Sequence, residues 1–501
     1  MDSPLLSPTT ETCGTSETPS SAFALPPTLE PTPTGSRMVT ANRNLECTPS
    51  AEQQYWKNPY IYRLPAFITN LNPKVYQPQV VSFGPYHHDK DHLLPMEEHK
   101  DRARDHFLER SGKSLEPFVE SLREVVWDLK ESYDALNQKW KEGEGDQFLE
   151  LMIRDGCFML EIMRAATIEK EKNDYAPNDP IFSTHRLAYI TPYIRRDMLM
   201  LENQLPMLVL YKLVTIENNC KEHGHDNDVA FSATDFTPTT QPDEYINELI
   251  LEFYSLDTGI KGMGRCLHVV DIFRKGLLMD PEMENAWPEA GEGDRSSLET
   301  CNPRMEHVLD VNCSPKKTKK VQHKEIIRSA TELKEAGIQF EKSLTCSLKD
   351  ISFDRGVLKL PVITVDDTTE SKFLNLMTFE RLHIGTGNEV TSYVDFMDKI
   401  INNERDVALL HARGIIQNDF GSDKAVAKLF NSLCTEVTVE SNLDAVQRKI
   451  SDHCKKPWNM WRANLRHTYF SSPWTTLSLV AAMFLFALTI IQTVFIVLTY
   501  Y

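Results

Sequence analysis

Residues 147–166 read QFLELMIRDGCFMLEIMRAA. Phe148, Leu151, Met152, Ile153, Cys157, Phe158, Met159, Leu160, Ile162 and Met163 leave almost no polar face on a helix of this length. A helix that is apolar nearly all round is buried on most of its sides, so this stretch predicts the central helix of a large core. Asp155 and Glu161 lie within it. A buried carboxylate needs a partner, and Arg154, Arg195 or Arg196 can supply one.

Helical patterns continue in both directions. Leu94 to Arg110 reads as a charged amphipathic helix with Met96, His99, Ala103, Phe107 and Leu108 available for one face. Ser114 to Trp140 keeps apolar residues at three- and four-residue spacing and reads as one long helix, with Ser114 as N-cap and Pro117 in the first turn. Met198 to Ile216, MLMLENQLPMLVLYKLVTI, almost imitates a membrane span until Glu202, Asn203, Gln204 and Pro206 interrupt it. A charge is costly in mid-bilayer but can be satisfied in a protein core. The reading is therefore two buried helices with a break between them, Glu202 and Asn203 tying the backbone ends. Ile351–Phe353, Asp354-Arg355-Gly356 and Val357–Val365 predict a β-hairpin with Gly356 in the left-handed position of a three-residue turn. Pro361 predicts an edge or bulge. Helical patterns resume at 374–382, 393–401, 407–411, 425–434 and 443–453.

The C-terminal residues 471–501 contain no charge. Leu477 to Leu498 gives 22 apolar-dominated residues, about 33 Å as a helix, which matches the hydrocarbon thickness of a bilayer. Trp458, Trp461, Tyr469, Phe470 and Trp474 crowd one end and Tyr500 and Tyr501 the other, as membrane interfaces favour. Lys455, Lys456, Arg462 and Arg466 precede the span, so the bulk domain is expected to face the cytosol, at a plasma membrane or an endomembrane. Gln492 and Thr493 lie inside the span and could bond to another one, and Ser478 and Ala482 form a small-xxx-small pair.

Composition narrows the function classes. The chain has 501 residues, with 72 acidic and 54 basic side chains and a formal net charge of −18. A nucleic-acid partner is not expected, because phosphate binding needs a basic surface. Ten cysteines without a CxxC pair argue against a zinc ribbon, a redox dithiol or a disulfide scaffold. Residues 1–54 form a Pro/Ser/Thr-rich segment expected to be disordered, with Ser3-Pro4 and Ser7-Pro8 as phosphorylation candidates. Residues 55–466 form the helical domain, with polar insertions near 217–245 and 280–325. The second insertion carries Lys316-Lys317-Thr318-Lys319-Lys320, read as a solvated run. The fold class is mainly α: a large multi-helix domain with a small β-hairpin, plus one C-terminal transmembrane helix over 471–501.

No familiar catalytic spacing is present. There is no P-loop, no GxSxG elbow and no HExxH, and GTGNEV at 385–390 lacks the lysine a P-loop needs. One constellation could carry chemistry: His87, His88, Asp89, His92, Glu97, Glu98 and His99. These are nitrogen and oxygen donors of the kind that hold zinc. Gly84-Pro85 and Pro95 interrupt any shared helix, so Gly84, Pro85, Tyr86, His87 and His88 are read as organising a loop or contact surface. Glu97 and Glu98 suit a first helical turn.

Several stretches resemble one known family, the plant "domain of unknown function 247" family. They run in order as IYRLP (61–65), YQPQVVSFGPYHH (76–88), MEEHK (96–100), FLELMIRDGCFMLEIMR (148–164) and RRDMLMLENQLPMLVL (195–210). SATELKEAGIQF (329–340), DISFDRGVLKLPVITVDD (350–367), TSYVDFMDKIINNERDVALL (391–410), LFNSL (429–433) and YFSSPWTTLS (469–478) follow. The resemblance implies a plant source, a mostly helical fold, a C-terminal span and no established enzyme activity. It marks Pro65, Gly84, Pro85, Tyr86, His87, His88, Glu97, Lys100, Asp155, Glu202, Asn203, Gln204 and Pro206 as structural or contact residues, and Trp474, Leu477, Gln492 and Leu498 as anchor residues. Some grass members of that family act as pollen-side determinants of self-incompatibility, which implies a small secreted protein as ligand. That location conflicts with a cytosolic domain. The expected function is a membrane-anchored binding or recognition module with a protein partner and no cofactor, not an enzyme. The alternative is an enzyme or metal-binding protein built on His87–His99.

Overall fold

A computed structural model describes residues 59–70, 72–141, 145–167, 174–218, 241–256, 263–279, 327–434, 442–456 and 473–500. The segment 1–54, the lysine run at 316–320, most of both polar insertions, and Trp458, Trp461, Tyr469 and Phe470 lie outside these residues. The chain divides after Trp56 into two units, and all described residues belong to the second.

Seventeen helices and five short strands make the described fold mainly α. The chain enters through α1 (Ala66–Thr69), which starts behind Pro65, whose carbonyl accepts from the amides of Ile68 and Thr69. A 3-10 turn at Pro73–Val75 follows. Residues 76–93 then run without helix or strand to a second 3-10 turn at Leu94–Met96 and to α2 (Glu97–Ser111). Glu97 and Glu98 occupy the first turn of α2, the favourable end of its dipole. Gly112, at φ +67°, closes it in the left-handed cap.

Residues 114–140 are not one helix. They form α3 (Glu116–Arg123), α4 (Val126–Glu131) and α5 (Gln138–Lys141). After α4 the backbone turns aside to meet the entering chain: the amides of Tyr60 and Ile61 donate to Ser132 O, and Asp134 N donates to Ile61 O. Ala135 absorbs the turn at φ +45°. The apolar spacing still reports burial, since Leu129, Tyr133, Leu136 and Trp140 are all in the core.

The central helix is α6 (Asp146–Thr167), whose side chains from Phe148 to Arg164 are almost all buried. The break expected in 198–216 separates α7 (Thr184–Met198) from α8 (Met207–Asn218). Next come α9 (Pro242–Phe253) and α10 (Val269–Leu278). Helix therefore reaches into both edges of the insertion expected at 217–245. The central helix packs on α2, α3, α7, α8 and α9. Gly156 makes the α8 approach possible: a Cβ there would lie 2.7 Å from Leu213 Cδ1 and 3.1 Å from Val209 Cγ1.

The second half begins with α11 (Ala330–Glu335), capped by Ser329. Strand β1 (Gln339–Lys342) pairs parallel with β3 (Val357–Leu360), and β2 (Ser352–Asp354) pairs antiparallel with β3. The hairpin turn has two residues, not three. Asp354 faces Val357, and both Arg355 (φ +47°) and Gly356 (φ +85°) are left-handed, the geometry that matches strand twist in a type I′ turn. The strand expected through Val365 ends at Leu360. Pro361 starts a short break, and β4 (Ile363–Val365) pairs parallel with β5 (Ile416–Asn418) instead. Around these strands pack α12 (Thr369–Leu382), α13 (Glu389–Ile400), α14 (Glu404–Ala412), α15 (Asp423–Leu433) and α16 (Asp444–Cys454). Helix α10 touches α9 on one side and α12 and α13 on the other, so a single hydrophobic core runs through both halves.

The last helix is α17 (Pro473–Tyr500). Its segment Leu477–Thr499 has 23 residues, a mean hydropathy of 2.5 and no burial within the protein. It is long and apolar enough to cross a membrane.

Replacing Gly156 by valine should separate α6 from α8. Overpacking of this kind costs about 1–3 kcal/mol, and urea denaturation of the full chain in detergent micelles should read that loss.

Candidate functional site

The residues marked by the sequence converge on the segment 79–88. It has no ladder partner, yet most of its leading amides are satisfied by side chains. Asp197, at the end of α7, accepts from the amides of Gln79, Val80 and Val81 at 2.7–3.1 Å. Asn203, in the α7–α8 break, accepts from Phe83 N at 2.7 Å and returns its Nδ2 to Val81 O at 3.0 Å. Asp155 on α6 accepts from Gly84 N at 2.8 Å. A buried backbone donor needs an acceptor, and here three side chains from two helices and one break replace a neighbouring strand. Gly84 is required on two counts. Its φ is +71°, and a Cβ would lie 2.8 Å from both Gln204 O and Tyr133 Oη.

Lys100 of α2 stands at the centre and is wholly buried. Its Nζ lies 2.7 Å from Glu97 Oε1, 2.8 Å from Asp155 Oδ1 and 3.1 Å from Ser82 Oγ. Those contacts engage all three donors of an ammonium group. Asp155 thus takes its paired cation from α2, and none of Arg154, Arg195 and Arg196 pairs with it directly, although the Arg154 charge still favours its ionised form. Arg154 pairs with Glu97 at 2.7 Å, Arg196 pairs with Asp197 at 3.1 Å, and the Arg195 guanidinium lies 4.9 Å from the centre of the Phe253 ring. Lys100 and Asp155 lie on two different helices, 55 positions apart, so no helical periodicity links them and this pairing was invisible in the sequence. Burial pushes the carboxyls of Asp155 and Asp197 up, opposed by Lys100 at the first and by the backbone amides of 79–81 at the second.

The flanking residues fasten the same loop. Tyr86 Oη donates to Ile61 O at 3.2 Å and to Asp134 O. Pro85 is buried. His87 Nε2 lies 3.4 Å from Glu202 Oε2, and Glu202 Oε1 accepts from Leu64 N at 2.7 Å, next to Pro65. Burial opposes ionisation of Glu202, but His87, the Leu64 amide and Arg63 outweigh it and hold its carboxyl below the usual range. Gln204 Nε2 donates to the carbonyls of Met198 and Met200 at 2.6 and 2.7 Å, and the carbonyl of Pro206 accepts from Val209 N in the first turn of α8. Asn203 Nδ2 also donates to Asp197 O in the last turn of α7 at 3.0 Å, so the break residues tie a helix end as well as the entering chain and the 79–84 segment.

The His/carboxylate constellation does not converge. His88 Nδ1 lies 3.7 Å from Glu97 Oε2, with its ring edge-on to Trp140 at 5.7 Å. His92 bonds Pro78 O, His99 bonds Arg102, and Asp89 pairs with Lys139. Among the described residues no group of three or more His, Cys, Asp or Glu side chains is arranged to hold a metal ion. Ser82 beside Lys100 has the composition of a nucleophile and base, but both side chains are sealed in the core and Lys100 donates to carboxylates on its other sides.

Further buried polar anchors lie outside this segment: Glu161, expected from the sequence to need a partner, takes Arg110 and His106 and not Arg154, Arg195 or Arg196, while Asn375 and His268 escaped the sequence reading. Glu161, the second carboxylate of α6, is bound by Arg110 through both oxygens, and by His106 at 3.1 Å and Tyr175 at 2.8 Å. Burial opposes its ionisation, but the His106 and Arg110 hydrogen bonds, with the charges of Arg110 and Arg164, hold it at about 2. Asn375 of α12 accepts from Leu201 N at 2.9 Å and donates to Val75 O at 3.0 Å. Its signal was a lone amide in the apolar run FLNLMTF (373–379). His268 caps α10 through Nδ1 and lies 3.1 Å from Tyr60 O through Nε2. Burial pushes its pKa down to about 4, in keeping with a neutral ring that accepts on one side and donates on the other. Trp474 lies on the first turn of α17, Leu477 and Leu498 near the two ends of its apolar stretch, and Gln492 inside it.

Comparison with known proteins gives a consistent set. The model of the family DUF247, described as a plant protein of unknown function, matches residues 61–488. UPF0481 protein At3g47200 of Arabidopsis thaliana is 30% identical over 456 residues, covering 88% of this chain and 86% of that protein. Putative UPF0481 protein At3g02645 of the same plant is 22% identical over 497 residues, covering 86% and 89%. No solved structure matches.

Removing one partner of a buried ion pair leaves the other uncompensated, at about 3–5 kcal/mol. Lys100→Met should destabilise the full chain by that amount in urea, and adding Asp155→Asn should recover part of the loss. A double variant no more stable than Lys100→Met would rule out the uncompensated charge as the cause. The Glu161 cluster predicts a pH dependence. The hydrogen bond to Glu161 raises His106 above its ordinary 6.5, against desolvation, so its contribution is full below 6.5 and fades as pH rises through the raised value. Glu161, depressed from 4.5 to about 2, contributes above 4.5 and loses that contribution as pH falls toward 2. Denaturation midpoints measured from pH 3 to 9 should show both arms, and His106→Gln should flatten the alkaline one.

Proposed function

This chain belongs to the plant DUF247 family, and on that footing we propose that it is a binding module, not a catalyst, held at a membrane by α17. One observation carries the reading: Ser82, Lys100 and Asp155, the groups best suited to chemistry, are each 0% exposed and committed to one another or to the 79–84 backbone. Groups used in this way build a scaffold. A catalytic acid or base must reach its substrate.

The outer surface supplies contact material of the opposite kind. Tyr189 and Tyr193, one turn apart on α7, are 67% and 52% exposed, and the His185 ring sits edge-on to Tyr189 at 5.1 Å. Exposed tyrosines suit protein interfaces, because they bring large area with a polar tip. The partner in this reading is a protein. Lys455, Lys456, Arg462 and Arg466 precede the apolar stretch, and flanking cations of this kind favour a cytosolic domain. The resemblance to grass self-incompatibility determinants adds the finer proposal of self/non-self recognition in pollen, with a small secreted protein as ligand if the domain faces away from the cytosol.

Protease added to sealed plant microsomes carrying the full chain should digest the domain without detergent. Protection would reverse the orientation and favour the secreted ligand. Detergent-purified full chain should hold metal well below one equivalent. A stoichiometric metal would overturn the non-catalytic reading and restore the site around His87, His88 and Glu97.

A further inference from the structure

Gln492 lies seven residues from the end of the apolar stretch Leu477–Thr499, about 10 Å inside it along the helix axis. Within hydrocarbon no water is present to serve its carboxamide. The hydroxyls of this stretch solve the same problem locally: Thr489 donates to Leu485 O at 2.9 Å, Thr493 to Thr489 O at 2.8 Å, and Thr499 to Phe495 O at 2.8 Å. Gln492 makes no hydrogen bond among the described residues.

Its surroundings are one-sided. Positions 478, 482, 485, 489, 492, 496 and 499 alternate by four and three and so share one seam of a helix. They carry Ser478, Ala482, Leu485, Thr489, Gln492, Ile496 and Thr499. At 100° per residue, every Ser, Thr and Gln of the stretch falls on the half of the helix centred on this seam. The opposite half carries Met483, Ile490, Val494 and Val497. Small residues on the seam let a second backbone come close. A carboxamide both donates and accepts, so a two-fold-related copy of Gln492 gives it one donated and one accepted hydrogen bond. We propose that α17 pairs with the α17 of a second copy of this chain through the Gln492 seam, a proposal that rests on α17 being a membrane span.

The test uses the full chain in phosphatidylcholine vesicles, with separate donor- and acceptor-labelled populations and energy transfer followed against the protein-to-lipid ratio. The wild type should show saturable pairing. Gln492→Leu should weaken association about 3- to 30-fold, Gln492→Asn should retain most of it, and Ile490→Leu on the opposite half should leave it unchanged. Energy transfer no greater than random proximity gives, or Gln492→Leu pairing as well as wild type, overturns the seam and leaves the anchor standing. Release of the wild type from the vesicles by alkaline carbonate overturns the anchor and the pairing together.

Discussion

The amide of Gly84 and the ammonium of Lys100 meet on the two oxygens of one buried carboxylate, Asp155. Much of the amino-terminal half hangs on that meeting. It fixes α2 against α6 and sets where segment 79–84 crosses the core. By placing Gly84 it also seats Tyr133 under the break between α7 and α8, where the phenol donates to Gln204 O at 3.0 Å. Ion pairs in a low-dielectric interior contribute little net stability relative to apolar packing, because desolvation offsets the attraction. Their value here is geometric. A segment with no ladder and no helix has no register of its own, and Asp197, Asn203 and Asp155 give it one, residue by residue.

Some of this was legible in the sequence. The apolar girth of 147–166 announced the central helix, and Glu202-Asn203-Gln204-Pro206 announced a satisfied break inside what otherwise looked like a span. Periodicity reports burial better than it reports continuity: Leu129, Tyr133, Leu136 and Trp140 are core residues although the helix they suggested is cut twice. The partners and burial of Lys100, which only the family resemblance marked, were hidden for a related reason. Lys100 sits in EEHKDRARDH, where charge on every side looks like a solvated face, and only the fold carries Ser82 and Asp155 to it. The hairpin was readable in outline. Its turn length was not, because Arg355 takes a left-handed conformation that side chains other than Gly, Asn and Asp seldom adopt.

The histidines teach the same lesson from the function side. Four of them within 87–99 look like a ligand set when distance along the chain stands in for distance in space. In the folded chain each turns to a different neighbour, a carboxylate, a carbonyl, an arginine or a tryptophan edge. Proximity in sequence around Gly84-Pro85 and Pro95 scatters side chains; it does not gather them.

Side-chain anchoring of segment 79–84 has a consequence in time. Phe83 takes its acceptor from a residue 120 positions later, and Val75 is held by one 300 positions later. At ribosomal rates of about 5–20 residues per second, those partners emerge roughly 6–24 and 15–60 seconds after the segment itself. Through that interval QPQVVSF is exposed chain with apolar residues and no pairing of its own. Val81, Ser82 and Phe83 end wholly buried, so chain that the finished molecule seals in its core stays uncovered on the ribosome until those distant partners have been made.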